Sequence, residues 1–102
     1  KIPIIIDDVM ASGSVLTQIP ALLEAGARPE VYLAVTHGVL TPSAIQLLDQ
    51  PEVCQLVITN TLPQPPEKQH PKLCVVSIAP LLATILHRVH DGMSISELIR
   101  LT

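Results

Sequence analysis

Apolar residues in this chain of 102 residues follow two alternating patterns, one typical of strands and one typical of helices. Short aliphatic and β-branched runs between polar or turn-forming residues predict four strands, over residues 4–6, 31–36, 54–58 and 73–78. The first run, Ile4-Ile5-Ile6 after Pro3, has the composition of a strand that is buried on both faces.

The first helical pattern follows the first strand after a short polar segment. Leu16 and Ile19 lie on its apolar face, and Gly26 is a natural residue to end it. Pro20 would remove a hydrogen bond inside a helix that began at Ser14. The alternatives are a helix that starts near Leu16 and one that kinks at Pro20, and the sequence favours the later start.

A second helix and a loop separate the second, third and fourth strands. Thr41 and Pro42 are the residue types of an N-cap and a first helical position, and they predict a helix that ends near Leu48. Residues 61–71 contain four prolines and no apolar periodicity. This segment is therefore predicted to be an exposed loop.

Two further helices are predicted after the fourth strand. Pro80 begins a long apolar pattern that Gly92 ends. Ser94 and Glu97 have the spacing of a capping box, which predicts a final short helix. Strands that alternate with helices imply right-handed crossovers. The sequence therefore predicts an α/β domain over residues 1–102, with a mostly parallel sheet flanked by helices.

Composition and charge narrow the classes of function. The content of hydrophobic residues, 48%, can supply a core, although Tyr32 is the only aromatic residue. A net charge of -3 and six scattered basic residues argue against a nucleic-acid partner. No apolar run approaches the ~20 residues that span a bilayer, so no membrane partner is expected. Cys54 and Cys74 are interpreted as buried free thiols in a reducing cytosol, with a disulfide as the alternative.

The candidate chemistry begins where the first strand is expected to end. Asp7 and Asp8 are adjacent carboxylates, and the small, hydroxyl-rich segment Ala11-Ser12-Gly13-Ser14 follows them. Such a segment lets backbone N–H groups approach a phosphate, and ligands bind at the carboxyl ends of strands in open α/β sheets. A simpler interpretation is that the aspartates end a strand and that Ser-Gly-Ser only caps a helix.

The histidines give weaker signals. His37 follows the second strand on the expected ligand side, where a structural or nucleotide-edge role is favoured over acid–base catalysis. His87 and His90 are one helical turn apart, but without a third ligand they are expected to be exposed rather than metal-bound. His70 lies in the proline-rich loop and carries no functional signal.

Several of these segments together resemble the ribose-phosphate diphosphokinases, or PRPP synthetases, which have the type I phosphoribosyltransferase fold. The matching segments are Ile6-Asp7-Asp8 with Ala11-Ser12-Gly13-Ser14, Ala34-Val35-Thr36-His37-Gly38-Val39-Leu40, Val57-Ile58-Thr59-Asn60-Thr61-Leu62-Pro63, Ser77-Ile78-Ala79-Pro80-Leu81-Leu82-Ala83, His87-Arg88-Val89-His90 and Ser94-Ile95-Ser96-Glu97-Leu98. The resemblance runs nearly end to end and implies the C-terminal half of such an enzyme.

The resemblance implies a three-layer phosphoribosyltransferase-like domain and a set of ligands. The family reaction converts ATP and ribose 5-phosphate into PRPP and AMP. By resemblance, Ala11, Ser12, Gly13 and Ser14 bind the phosphate, while Asp7 and Asp8 bind the ribose hydroxyls and Mg²⁺. No catalytic residue is assigned within the chain, which is expected to be inactive alone, cytoplasmic and homo-oligomeric.

One departure from the family pattern bears on the site. The family's loop carries an aspartate that has no counterpart between Met10 and Ala11, and Ala11 replaces a hydroxyl residue. We expect this shorter loop to bind its substrate more weakly, because small displacements of bound groups reduce rates strongly. The alternatives are a non-catalytic subunit associated with PRPP synthetase and a phosphoribosyltransferase that consumes PRPP.

Overall fold

Four parallel strands form a single sheet with the order β1-β2-β3-β4. The computed structural model describes residues 1–100. The strands are β1 (Ile4–Met10), β2 (Val31–Gly38), β3 (Val53–Thr59) and β4 (Leu73–Val76). The helices are α1 (Ile19–Glu24), α2 (Pro42–Leu47), α3 (Ala79–His90) and α4 (Ser96–Arg100), with 3₁₀ turns at Ser14–Gln18 and Pro66–Lys68. The predicted α/β fold with a parallel sheet flanked by helices is confirmed.

The hydrophobic core lies on one face of this sheet. Along β2, Val31, Leu33 and Val35 are buried, whereas Tyr32 and Thr36 between them are exposed. The buried strand residues form one cluster with residues of the first 3₁₀ turn, α1 and α2, which are Leu16, Ile19, Ala44 and Leu48. Of the layers that the resemblance implies, the described residues thus supply the sheet and the helices packed on one of its faces.

The opposite face of the sheet is open at β1. Ile4 and Ile6 are 65% and 80% exposed, so the prediction that the first strand is buried on both faces is wrong. The physical reason is that β1 is an edge strand that pairs only with β2, while the core-forming helices pack on the other face. Ile5 alone of the three isoleucines packs against the core.

The first helix begins differently from both alternatives in the sequence. The chain forms a 3₁₀ turn over Ser14–Gln18 and becomes α-helical at Ile19, with Pro20 in the first α-helical turn. Proline is tolerated there because the N–H it lacks would have no partner within the helix. The predicted stop at Gly26 is confirmed by its φ of 92° and by the bond from Ala27 N to Leu22 O at 3.0 Å.

Two of the other helix signals are confirmed and one is not. Thr41 caps α2, accepting a hydrogen bond from Ala44 N, and Gly92 has a φ of 67° after α3. α4 begins at Ser96 instead of using Ser94 and Glu97 as a capping box. The Ser94 hydroxyl contacts the Ser96 hydroxyl, and the Glu97 carboxylate lies 3.5 Å from Arg88.

Candidate functional site

The two aspartates lie within β1 rather than after it. The Cα pairs Asp7–Val35 and Val9–His37 continue the ladder with β2 to Met10, four residues beyond the predicted strand end. Both aspartates are exposed, and β1 is one of the two edge strands of the sheet. An exposed edge strand tolerates charged side chains at this position.

The two carboxyl groups are electrostatically linked. A hydrogen bond with the Asp7 side chain is the main cause that lowers the pKa of Asp8, and the backbone N–H groups of Val9 and Asp8 lower it further. Asp7 Oδ1 accepts from Asp8 N at 2.8 Å, and Asp8 Oδ1 accepts from Val9 N at 2.9 Å. Both carboxyl groups are exposed and supply oxygen atoms, which are the ligands that Mg²⁺ prefers, so the pair fits this ion.

The small segment after β1 makes a tight turn into the first helix. Gly13 has the left-handed conformation, with φ 83° and ψ 17°, and the 3₁₀ turn begins at Ser14. Consecutive backbone N–H groups in such a turn point to one side and form an anion-binding concavity. Ser12 and Ser14 are exposed, Ala11 is half-buried and Gly13 is buried. The residues predicted for phosphate binding are therefore brought together at the carboxyl edge of β1.

His37 and a group of hydroxyl residues lie at the same edge of the sheet. His37 Nδ1 is 2.8 Å from the Thr61 hydroxyl, and the Thr59 hydroxyl donates to Thr36 O at 2.6 Å. His37 is also near enough to Asp8 to be the smallest of the causes that lower the pKa of that carboxyl. The structure thus places His37 beside the aspartates, while its nucleotide-edge role stays a prediction.

The sequence alone assigns no role to the polar residues at the end of β3 and directly after it. Besides Thr59 and Thr61, Asn60 joins β3 to the start of α3, accepting from Ile78 N at 3.0 Å and donating to the Ser77 hydroxyl at 3.2 Å. Their position at the carboxyl end of a strand predicted to be parallel is the signal that could have placed them near the site. The carboxyl ends of parallel strands lie at one edge of the sheet, where ligands bind.

The other histidines and the cysteines lie elsewhere. His87 is exposed and pairs with Asp91 at 3.2 Å, and His90 is exposed, as predicted. His70 binds Asp49 at 2.7 Å and ties the proline-rich loop to the segment after α2. Within residues 1–100, no three or more His, Cys, Asp or Glu residues form a group that could hold a metal ion. The two cysteines are free, as predicted, but half-buried rather than buried.

Comparison with known proteins identifies the family. A sequence profile described as the phosphoribosyl synthetase-associated domain matches residues 1–100. The chain belongs to this family. The matched region covers nearly the whole chain, including the aspartates, the small segment after β1 and His37.

Relatives of this phosphoribosyl synthetase-associated domain include named enzymes. The chain is 43% identical over 99 residues to a ribose-phosphate pyrophosphokinase of Caldanaerobacter subterraneus subsp. tengcongensis, covering 96% of the chain and 31% of the relative. It is 43% identical over 97 residues to a putative ribose-phosphate pyrophosphokinase of Streptomyces coelicolor, covering 93% of the chain and 30% of the relative.

A solved structure gives the same result. The crystal structure of phosphoribosylpyrophosphate synthetase from Mycobacterium smegmatis matches with a TM-score of 0.77 and 37% identity, over 90% of this chain and 31% of that one. The phosphoribosyl synthetase-associated domain thus spans less than a third of the relatives it matches. None of the helices described between residues 1 and 100 has the length and apolar character needed to cross a membrane.

Proposed function

We propose that this chain is the ribose 5-phosphate and PRPP-binding part of a PRPP synthetase-like protein and belongs to its C-terminal half. The observation that carries this proposal is the left-handed turn at Gly13, which follows the strand β1 that contains the linked carboxyls of Asp7 and Asp8. This arrangement pairs an anion-binding turn with hydrogen-bond acceptors for hydroxyl groups. Ribose 5-phosphate presents a phosphate and hydroxyls in one small molecule.

Each part of the proposed ligand meets a complementary part of the site. The N–H groups of Ser12, Gly13 and Ser14, with the serine hydroxyls, bind the phosphate. Asp7 and Asp8 accept hydrogen bonds from the ribose hydroxyls. Mg²⁺ bound by these carboxylates supplies charge neutralisation for substrate oxygens, and such ions keep water and substrate oxygens among their ligands.

The proposed reaction needs more positive charge than this chain brings to the loop. Transfer of the diphosphoryl group of ATP depends on cations that neutralise developing charge. No Lys or Arg occurs between residues 2 and 27, a range that contains both aspartates and the loop. We therefore propose that the chain does not form PRPP alone and that the reaction with ATP requires further basic groups. We also propose that the chain acts in a cytoplasmic homo-oligomer.

A second candidate is a non-catalytic subunit associated with PRPP synthetase. The observation that favours it is the loop sequence Val9-Met10-Ala11-Ser12, which lacks the aspartate of the family pattern. Product analysis separates the candidates. The products must be measured in an assembly that contains this chain together with the further basic groups. Formation of AMP by that assembly indicates the kinase, release of diphosphate from PRPP indicates a phosphoribosyltransferase, and neither product indicates the subunit.

The test of binding is isothermal titration of ribose 5-phosphate into the chain in the presence of Mg²⁺. We expect saturable binding that Asp8→Asn weakens strongly, because the neutral amide oxygen is a weaker ligand for Mg²⁺ and a weaker hydrogen-bond acceptor than a carboxylate. Asp91→Asn is the matched control, since Asp91 is an acidic residue after α3 that pairs with His87.

Three results would contradict the proposal. They are no heat of binding in the wild-type chain, equal binding by Asp8→Asn, and equal losses in Asp8→Asn and Asp91→Asn. The last result would indicate a general effect of charge rather than a site at β1.

A further inference from the structure

We infer that Thr41, on the neighbouring β2–α2 connection, is a positioning residue that orients the backbone of the phosphate-binding segment. The inference rests on the proposed function for its ligand. Thr41 itself belongs neither to the aspartate pair nor to the segment. Thr41 lies 30 residues after Ala11 in the sequence, yet its main chain and its side chain both donate hydrogen bonds to Ala11.

The contact consists of two hydrogen bonds to one carbonyl. Ala11 O accepts from Thr41 N at 2.8 Å and from the Thr41 hydroxyl at 3.1 Å. The preceding carbonyl, Met10 O, accepts from Val39 N at 2.9 Å and from Leu40 N at 3.1 Å. Four donors from three consecutive residues thus fix two consecutive carbonyls at the end of β1.

The Thr41 hydroxyl is itself held in one orientation. It accepts from Ala44 N at 3.4 Å as the cap of α2, and it lies 2.9 Å from the Ser43 hydroxyl. A hydroxyl group has one hydrogen to donate. Because that hydrogen is used on Ala11 O, the Ser43 hydroxyl must donate to Thr41. The residue is therefore anchored to α2 on one side and to the segment on the other.

Peptide geometry converts this anchor into an orientation of N–H groups. The peptide bond between Ala11 and Ser12 is trans and planar, as no peptide bond between described residues is cis. In a trans peptide, the N–H points opposite to the C=O. Since Ala11 O points at Thr41, Ser12 N–H points away from α2, on the side open to a ligand.

A second contact holds the following residue. A Cβ on Gly13 would lie 2.7 Å from Leu47 Cδ1 and 3.4 Å from Ala44 Cα, so Gly13 rests directly against α2. Leu40 is fully buried and has a φ of 42°, which is unfavourable for a residue with a side chain. Leu40 directly precedes Thr41, so its constrained backbone fixes the direction from which Thr41 approaches Ala11 O.

The test compares Thr41→Val with Thr41→Ser in the 102-residue chain. Valine keeps the shape and the backbone N–H but loses the hydroxyl that donates to Ala11 O and accepts from Ala44 N, whereas serine keeps that hydroxyl. We expect Thr41→Val to weaken ribose 5-phosphate binding roughly 3- to 10-fold, as for the loss of the one side-chain hydrogen bond that reaches the segment, and Thr41→Ser to restore it. Gly26→Ala is the control for lost stability, because the φ of 92° at Gly26 disfavours a side chain while a Cβ there would have no atom within 4 Å.

A second measurement does not need the ligand. NMR order parameters of the N–H groups of Ser12 and Gly13 in the free chain should fall in Thr41→Val and stay unchanged in Thr41→Ser and Gly26→Ala. Absence of wild-type binding would refute the proposed function, while the order parameters would still decide whether Thr41 orients the segment. Unchanged order parameters in Thr41→Val would overturn the inference, as would an affinity equal to that of the wild type.

Discussion

Gly13 carries a constraint that comes from its own backbone and from its neighbour on α2. Its φ of 83° lies in the region that side chains disfavour, and the space where a Cβ would stand is taken by Leu47. Gly26 has a similar φ of 92°, but no atom lies within 4 Å of the position of its Cβ. A side chain at Gly26 would therefore cause backbone strain alone, whereas a side chain at Gly13 would cause the same strain and a steric contact with Leu47.

We predict that Gly13→Ala destabilises the chain more than Gly26→Ala. The cost at Gly26 should be about 1–2 kcal/mol for a left-handed residue with a side chain, and the cost at Gly13 about 2–4 kcal/mol because Leu47 must also move. Urea unfolding of the two variants measures the difference. Equal losses would mean that Leu47 yields freely and that α2 does not support the turn.

At the scale of elements, local signals were predictable and long-range contacts were not. Thr41 and Gly26 act through hydrogen bonds to residues three to five positions away, so residue type and spacing indicated both. β1 extends through the aspartates because it pairs with β2, about 28 residues later in the chain. The residue types of Asp7 and Asp8 do not predict that pairing, because aspartate has a low strand propensity.

The site shows the same division. Residues 7–14 could be assigned from their order in the chain, because they form one continuous segment. The contact between His37 and Thr61 joins residues 24 positions apart, and the bonds from Thr41 to Ala11 depend on the packing of α2 against the end of β1. Such contacts follow from the tertiary fold rather than from a local pattern.

Helix α3 contrasts with strand β3 in how much its apolar residues contribute to the core. Leu56 in β3 is fully buried, whereas Leu86 in α3 is 69% exposed. We predict that Leu56→Ala lowers the free energy of unfolding by about 2–5 kcal/mol and Leu86→Ala by less than about 0.5 kcal/mol. Thermal and urea unfolding measure both. A large loss in Leu86→Ala would mean that α3 packs against another apolar surface in solution.

At the scale of the whole molecule, the chain has one covered and one open face of a parallel sheet. Parallel sheets are normally covered on both faces. The open face carries Ile6, Ala34 and Val57, which are neighbours in the strand register and line a shallow depression of about 290 Å³. An apolar surface of this kind marks a site of association.

The position of the aspartates bears on how two copies of the chain could meet. Asp7 is the central residue of β1, one of the two edge strands of the sheet, and Asp8 follows it. Two β1 edges paired antiparallel would bring carboxylates of both chains near one another, and like charges on facing strands are destabilising. The charges therefore disfavour self-pairing through the β1 edge, and the open apolar face of the sheet is the surface that we expect to make a contact between copies.

We predict that the isolated chain associates with itself through this face, in line with the proposed homo-oligomer. Sedimentation velocity should show a sedimentation coefficient that rises with chain concentration, and Ile6→Lys should remove that rise, because burying a lysine without a partner is costly. Leu86→Lys is the matched control, since it places the same charge on an exposed leucine of α3. A monomer at every concentration would contradict the prediction, and loss of association only in Leu86→Lys would assign the contact to α3 instead of the sheet.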